Sequence, residues 1–431
     1  MSFFSKYAFP FFFLFIVFSE QIFRAFMITM GIAVGSGQLQ VMYIGTFVVS
    51  MFLCIHDIMH RQMWMKTRRV YFFSIAACCL YFITQFFYSQ DPSRNYQTSL
   101  LSLGAVSIPA AIVGTHFARH EYMRYVDKLL PFFIVILGSI IGTVGMVAAQ
   151  AHEIIRQTDE GGLDYQVISY YMAILYAFSA YYVFFSTARR NKSFYIMKWV
   201  MLFLMVFFAT MCVMGGGRGA MVFLVLVTLF IVYKLISINK AHRTRFLLYI
   251  SIIGFIFAYI ASVAGVWESD GFNRVATNIA HDDERTRLVS IAFKSFFDSP
   301  LFGHGLGSVW YEVGYYSHNI GLDLLVETGI VGTIIGVVII FVMIKRMMKL
   351  CSFDKSFIFL MIIFIESLIQ GSFSGYWLNT PTLWLVFGMV FSVPSKFFEN
   401  YNYFSSKYYG SSINKIESNV NNSKRRRLRL V

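Results

Sequence analysis

The sequence predicts an all-α integral membrane protein of about twelve transmembrane helices, with one large extramembrane loop between the ninth and tenth. Three observations carry this expectation: the apolar share of the chain, the spacing of its apolar runs, and the lopsided placement of its basic residues. Of 431 residues, 57% are hydrophobic and 13% charged, with 48 Phe, whereas a soluble domain is nearer half apolar and a quarter charged. A helix crossing the hydrocarbon layer needs roughly 20 mostly apolar residues. Such runs fall near 8–27, 39–55, 70–88, 99–117, 129–149, 167–187, 199–214, 219–238, 246–266, 321–344, 357–371 and 381–397. Pro10, Pro109 and Pro381 lie inside or at the start of runs, where local adjustment tolerates them.

The third observation orients the chain. When the segments between runs are assigned alternately to two sides, 28 of the 36 Lys and Arg fall on one side. The positive-inside rule makes that side cytoplasmic and puts both termini there. The net charge of +14 is therefore a topology signal. It does not predict nucleic-acid binding, because no basic stripe is interleaved with aromatics on a soluble surface. Residues 1–397 form the expected membrane domain. Residues 398–431, which include Lys424-Arg425-Arg426-Arg427, are expected to be a disordered polybasic tail attracted to anionic lipid. The first apolar run continues past Glu20 and Arg24 without an A-x-A-like site, so a cleaved signal peptide is not expected. Those two charges, four residues apart, are expected to pair within the first span. Cys54, Cys78, Cys79 and Cys212 fall in runs and Cys351 in a cytoplasmic connection, which leaves no disulfide to expect. A soluble enzyme and a disulfide-knit secreted domain are excluded.

Residues 266–320 make the one long extracytoplasmic loop, and a loop of that length in an economical membrane protein is expected to be functional. Its middle reads as a helix. Asp282-Asp283-Glu284 supplies an acidic start, Leu288, Ile291, Ala292, Ser295 and Phe296 recur at helical spacing, and Pro300 ends it. One face is apolar, and the other carries Arg285, Ser290 and Lys294, so the helix suits a membrane surface. Gly303-His304-Gly305-Leu306-Gly307 follows. This G-x-G-x-G lacks the dinucleotide spacing and follows a helix instead of a strand. Its glycines predict a tight backbone path close to the membrane or a ligand.

Candidate chemistry sits where the bilayer makes polar groups expensive. Arg218 lies in Gly215-Gly216-Gly217-Arg218-Gly219, at the junction of the seventh and eighth spans. A guanidinium there can grip phosphate oxygens through two parallel hydrogen bonds, or snorkel to a lipid phosphate. Arg285 lies near the start of the loop helix, where the dipole also favours an anion. Arg287 is a second candidate on a different helix face, and either could instead pair with Asp282 or Glu284. His318, in Ser317-His318-Asn319, has the side chain suited to take a proton from a hydroxyl near neutral pH. Asp323 and Glu327, costly against lipid, are expected to face the bundle interior, and Glu366 has no evident sequence partner. The run His56-Asp57-Ile58-Met59-His60 resembles a zinc helix, but Asp replaces Glu and no third ligand is evident.

These loop and flanking motifs resemble the O-antigen ligase/polymerase superfamily. Arg285-Thr286-Arg287-Leu288 with Pro300-Leu301-Phe302-Gly303-His304-Gly305 is similar to its R…PLLGxG segment. His318-Asn319 through Leu322, Leu325, Glu327, Gly329 and Gly332 resembles its HNxxLxxLxExGxxG signature, and Gly217-Arg218-Gly219-Ala220 its S-R-G/A motif. Gly217 departs from the usual Ser or Thr, and Val289 stands where an aromatic is common.

The resemblance implies a GT-C-like, metal-independent and inverting glycosyltransferase without a cofactor, in the bacterial inner membrane, with its active face periplasmic. Its donor would be a glycan linked to undecaprenyl pyrophosphate. Arg218 and Arg285 or Arg287 would hold the pyrophosphate, and His318 would activate the acceptor hydroxyl. Asn319, Glu327, Gly217, Gly303 and Gly305 would support them. The acceptor would be another lipid-linked repeat in a polymerase (Wzy-type) or the lipid A core in a ligase (WaaL-type) of lipopolysaccharide biosynthesis. Polymerase is the favoured expectation, with a chain-length regulator as a further partner. The rival outside this class is a lipid or sugar transporter, whose functional ionisable groups would lie near the midplane.

Overall fold

The computed structural model describes residues 3–19, 106–117, 120–150, 165–186, 192–238, 283–314, 317–373 and 375–393, with isolated positions between 22 and 55 and between 244 and 265. The described helices are numbered here in chain order. They are α1 (Phe3–Val17), α2 (Ile108–Phe117), α3 (His120–Gln150), α4 (Tyr165–Phe185), α5 (Lys192–Gly215), α6 (Arg218–Ile238), α7 (Asp283–Asp298), α8 (Val309–Glu312), α9 (Ile320–Phe353), α10 (Ile358–Phe373) and α11 (Pro381–Ser392). Six helices among the described residues are long and apolar enough to cross a membrane, which agrees with an integral helical membrane protein. The spans expected at 70–88 and over most of 39–55 and 246–266 lie outside the described residues. So do the Glu20–Arg24 pair, the His56–His60 run and the tail 398–431.

Helices overrun the apolar runs that predicted them. The connection expected at 345–356 is helical to Phe353, so Cys351 sits buried in the last turn of α9 and not in a loop. Hydropathy marks where lipid contact ends, whereas the backbone continues until a residue prefers another partner. Asp354 is that residue. Its carboxylate accepts from the Ser356 amide at 2.8 Å and starts a short 3-10 turn.

Small residues set how closely the helices approach, as expected where no hydrophobic force draws helices together in lipid. A Cβ on Gly114 of α2 would strike the Leu385 carbonyl of α11, and one on Gly388 would strike the Ala111 carbonyl. Gly138 of α3 receives the Phe208 ring of α5. Elsewhere aromatics fill the core. Phe178 of α4 stacks on Phe359 of α10 with ring centroids 4.5 Å apart, and Phe18 meets Phe178 edge-on at 5.2 Å. At the end of the bundle away from Arg218, buried Asp127 accepts from the Tyr181 hydroxyl at 2.6 Å. At that same end the Arg346 guanidinium caps the last carbonyls of α11, Val390 and Val393.

The loop helix α7 packs its inner face, Leu288, Ala292 and Ser295, into the protein. Its outer face and the turn that follows expose Phe293, Phe297, Leu301 and Phe302.

Candidate functional site: a four-helix junction beside a broken helix

Arg218 begins α6 directly after the glycine run, because Gly216 takes a positive φ of 68° and turns the chain within two residues of the end of α5. The Gly217 amide donates to the Ser169 hydroxyl of α4 at 3.1 Å. A Cβ on Gly219 would collide with the Tyr170 hydroxyl of α4 and lie 2.7 Å from the Phe373 Cβ of α10. Small residues on both sides of Arg218 therefore press this helix start against α4 and the end of α10. The half-buried guanidinium is carried on a helix N-terminus, where the dipole adds to its positive charge.

Two other elements reach the same end of α10. Arg285 of α7 is half-buried, and its Nη2 donates to the Phe373 carbonyl at 3.2 Å. A guanidinium on a terminal helix carbonyl is favourable for both charge and hydrogen bonding. Arg287 is exposed. Ile320, the first residue of α9, lays its side chain against Gly371, where a Cβ would lie 3.0 Å from Ile320 Cγ1. His318 is two residues upstream. The chain segments bearing Arg218, Arg285 and His318 thus meet around Gly371–Phe373, although they are up to 100 residues apart in sequence.

His318 is half-buried and has φ of 55°, the one positive value at a non-glycine residue among the described residues. Its neighbours hold it there. Ser317 donates both its amide, at 2.9 Å, and its hydroxyl, at 2.7 Å, to Asp323 Oδ1. Asn319 caps α9, its Oδ1 accepting from the amides of Gly321 at 2.9 Å and Leu322 at 3.3 Å. A left-handed residue that is not glycine costs of order 1–3 kcal/mol and persists only where its surroundings over-determine it. Asp323 and Asn319 supply that constraint.

Glu327 and Asp323 are both fully buried and turned away from lipid, as expected. Glu327 Oε1 accepts from the Gly307 amide at 2.9 Å and the Tyr376 hydroxyl at 2.6 Å, and Oε2 accepts from Trp377 Nε1 at 3.1 Å. The carboxylate therefore ties the glycine loop and the turn after α10 to α9. His304 is packed nearby, with Nε2 2.8 Å from the Ser295 carbonyl and Nδ1 3.8 Å from Glu312. Glu366 is buried, and the Ser367 hydroxyl lies 3.4 Å from its Oε2.

The glycine loop does something the sequence did not disclose. Gly329 breaks α9 with φ 61° and ψ −164°. In a continuous helix the amides of Ile330 and Val331 would bond the carbonyls of Val326 and Glu327. The loop supplies all four missing partners instead. Ile330 donates to the Pro300 carbonyl at 2.9 Å and Val331 to that of Leu301 at 3.2 Å, while the amides of His304 and Gly305 donate to Val326 and Glu327, each at 2.9 Å. The close approach requires glycine on both sides. A Cβ on Gly303 would lie 2.5 Å from the Glu327 carbonyl carbon, and one on Gly329 would lie 2.6 Å from the Phe302 nitrogen. The tight path expected of Gly303 and Gly305 runs against a membrane helix of the same chain.

Tyr376, Trp377, Ser317, Ser169 and Tyr170 were not foreseen as parts of this region. Ser317 acts on Asp323 six residues on, and the others act through residues 48 to 50 positions away, where no local spacing marks them.

A polytopic helical membrane protein with two arginines and a strained histidine on converging helix ends is the class of molecule this architecture defines. Residues 203–337 match the family model described as O-antigen ligase, which supports the O-antigen ligase/polymerase superfamily that the motifs resemble. The matched segment contains Arg218, α7, the spliced glycine loop and the His318–Gly332 run. No curated protein matches the chain.

Proposed function

We propose that the protein is a glycosyltransferase that polymerises undecaprenyl-pyrophosphate-linked repeat units at the periplasmic face of the inner membrane. The observation that carries this reading is the meeting of the Arg218, Arg285 and His318 segments at the end of α10, within the matched residues 203–337. The excess of basic residues in the connections on one side supports a cytoplasmic position for the opposite end and for both termini.

The chemistry follows from the groups present. His318 takes the proton of an acceptor hydroxyl as that oxygen attacks the anomeric carbon. The new glycosidic bond forms as the bond from that carbon to the diphosphate oxygen breaks, and the lipid diphosphate leaves. Attack opposite the leaving group inverts the anomeric centre. Arg218 and Arg285 stabilise the charge that grows on the diphosphate, work that fixed cations do best where water is scarce. Base assistance of this kind contributes about 10²–10⁴-fold. A covalent carboxylate intermediate has little support, since Glu327 and Asp323 already accept three and two hydrogen bonds, respectively, from the protein itself.

A ligase that transfers the glycan to lipid A core is the second reading, favoured by the description of the matching family. One experiment separates them. Purified protein in nanodiscs is incubated with defined undecaprenyl-pyrophosphate repeats, with and without lipid A core, and the products are sized. A ladder of lipid-linked repeats without core supports the polymerase; products only on core support the ligase. Movement of substrate without a new glycosidic bond supports a transporter, and His318→Ala at full activity removes the base assignment.

A further inference from the structure

Asp323 has one oxygen more than its structural work uses. Oδ1 accepts from the Ser317 amide at 2.9 Å and from its hydroxyl at 2.7 Å, whereas Oδ2 is buried and has no hydrogen-bond partner. An asparagine would offer Ser317 the same acceptor without a charge, and a buried charge is costly unless something pairs with it. Bracing Ser317 therefore accounts for Oδ1 and leaves Oδ2 unused in the resting protein. Glu327, the other acid on the inner side of α9 and one turn deeper, differs in this respect. Its Oε1 accepts from Gly307 and Tyr376 and its Oε2 from Trp377.

Both chain neighbours of His318 are fastened to Asp323. Ser317 bonds its carboxylate, and the Asn319 carbonyl accepts from the Asp323 amide at 2.9 Å. His318 is the residue held between them. When its imidazole takes a proton from the acceptor hydroxyl, a positive charge appears at a junction that is already cationic. There α6 brings Arg218, and α7 brings Arg285 after Asp283 and Glu284 at its start. The last turn of α10, residues 370–373, holds no ionisable side chain. The anion tied to the His318 backbone from both sides is Asp323.

We infer that Asp323 is a positioning residue whose buried negative charge stabilises the imidazolium that His318 becomes during transfer. This rests on the glycosyltransferase reading above. Because Oδ2 is buried, Asp323 neither touches the substrate nor receives the proton; it acts through space on the imidazole. At an effective dielectric of ~20, a unit charge within about 12 Å changes proton affinity roughly tenfold or more.

The sign follows from the role of the base. His318 works as the neutral imidazole, so kcat/KM falls as pH drops and the ring is protonated. Without the Asp323 charge the ring holds its proton less tightly and stays neutral to lower pH. The test uses the full chain in nanodiscs and follows kcat/KM for the acceptor from about pH 5 to pH 8. Asp323→Asn keeps the acceptor for Ser317 and removes the charge. Asp323→Ser removes the charge and leaves room for a water to take up the Ser317 donors. In both, the acid limb should move down by about one pH unit, and the KM for the donor should stay near wild type. Asp323→Glu, which restores the charge, should return the limb to its wild-type position even if the rate falls. A limb that stays in place in the Asn and Ser variants, or that moves equally in the Glu variant, overturns the inference.

A second measurement needs no turnover. Diethyl pyrocarbonate acylates neutral imidazole, so the pH dependence of labelling at the His318 peptide, read by mass spectrometry, reports its protonation. The midpoint should fall by about one pH unit in Asp323→Asn and Asp323→Ser, with the other histidines as internal controls. If the midpoint moves but the wild type transfers no glycan, the glycosyltransferase reading fails and the Asp323–His318 coupling stands. If the wild type transfers glycan and neither midpoint nor limb moves, the coupling fails and that reading stands.

Discussion

Replacing Gly329 by Ala tests whether the glycine loop is spliced into a broken helix. With φ 61° and ψ −164°, Gly329 occupies a region that is essentially closed to other residues. The strain alone costs about 1–3 kcal/mol. The added Cβ also meets the backbone of Leu301 and Phe302, which no rotamer change can move aside. Alanine instead favours a continuous α9, in which Ile330 and Val331 recover their helical acceptors and the loop is expelled. Four hydrogen bonds between loop and helix are then exchanged for two within the helix, an advantage of the splice of about 1–3 kcal/mol at ~0.5–1.5 kcal/mol each that the strain and the clash work against. The strain is what the substitution adds, so the spliced arrangement is expected to weaken by at least about 1–3 kcal/mol. Hydrogen exchange reads this at the His304 and Gly305 amides, which should exchange roughly five- to a hundredfold faster (roughly 1.4 kcal/mol per factor of ten). Gly314→Ala is the control, since Gly314 also has a positive φ of 82° but its Cβ would meet open space. Unchanged exchange at His304 and Gly305 in Gly329→Ala, with an unfolding temperature like that of wild type, would refute the splice.

Gly303→Ala should reproduce the Gly329→Ala exchange pattern, because its Cβ meets the same backbone from the other side. Glu327→Gln keeps an acceptor for two of its three donors and turns an amide NH₂ toward a third, so thermal unfolding in detergent should show a loss of about 1–3 kcal/mol. Glu327→Ala should lose more, and pairing each variant with Tyr376→Phe should give non-additive effects. Asn319→Ala removes the cap of α9 and should cost about 1 kcal/mol. It should also lower the transfer rate by loosening His318, an effect that Asn319→Asp should largely restore. A spin label at Phe297, 71% exposed on the outer face of α7, should be relaxed more by oxygen than by a water-soluble nickel chelate; the reverse would show that α7 stands clear of the bilayer.

Much of the scaffold was legible because its causes are local. Apolar runs located α4, α5, α6, α9, α10 and α11 to within a few residues at most ends, and the acidic start and Pro300 bounded α7. Where the reading slipped, as at the C-terminal end of α9, it treated the end of hydrophobicity as the end of the helix. The motif residues were legible too, but what they do was not. Glu327 could be predicted to turn inward, yet its donors Gly307, Tyr376 and Trp377 lie 20, 49 and 50 residues away. The glycines of 303–307 announced a tight path without naming its other wall.

By its own pattern the sequence determined a many-spanned helical chain and its loop helix, and it singled out the handful of cations and the histidine that the proposed function uses. Hydropathy and helical periodicity are sums over neighbouring residues, so no partner is needed to read them. Only the tertiary structure decided that Arg285 reaches the end of α10 while Arg287 stays exposed. It alone showed that Gly329 breaks a helix for residues 300–305 to mend, and that Asp323 and Asn319 hold His318 in a costly conformation. Each of these depends on which backbone groups lack a partner once the helices have packed, and that is settled by distance in space.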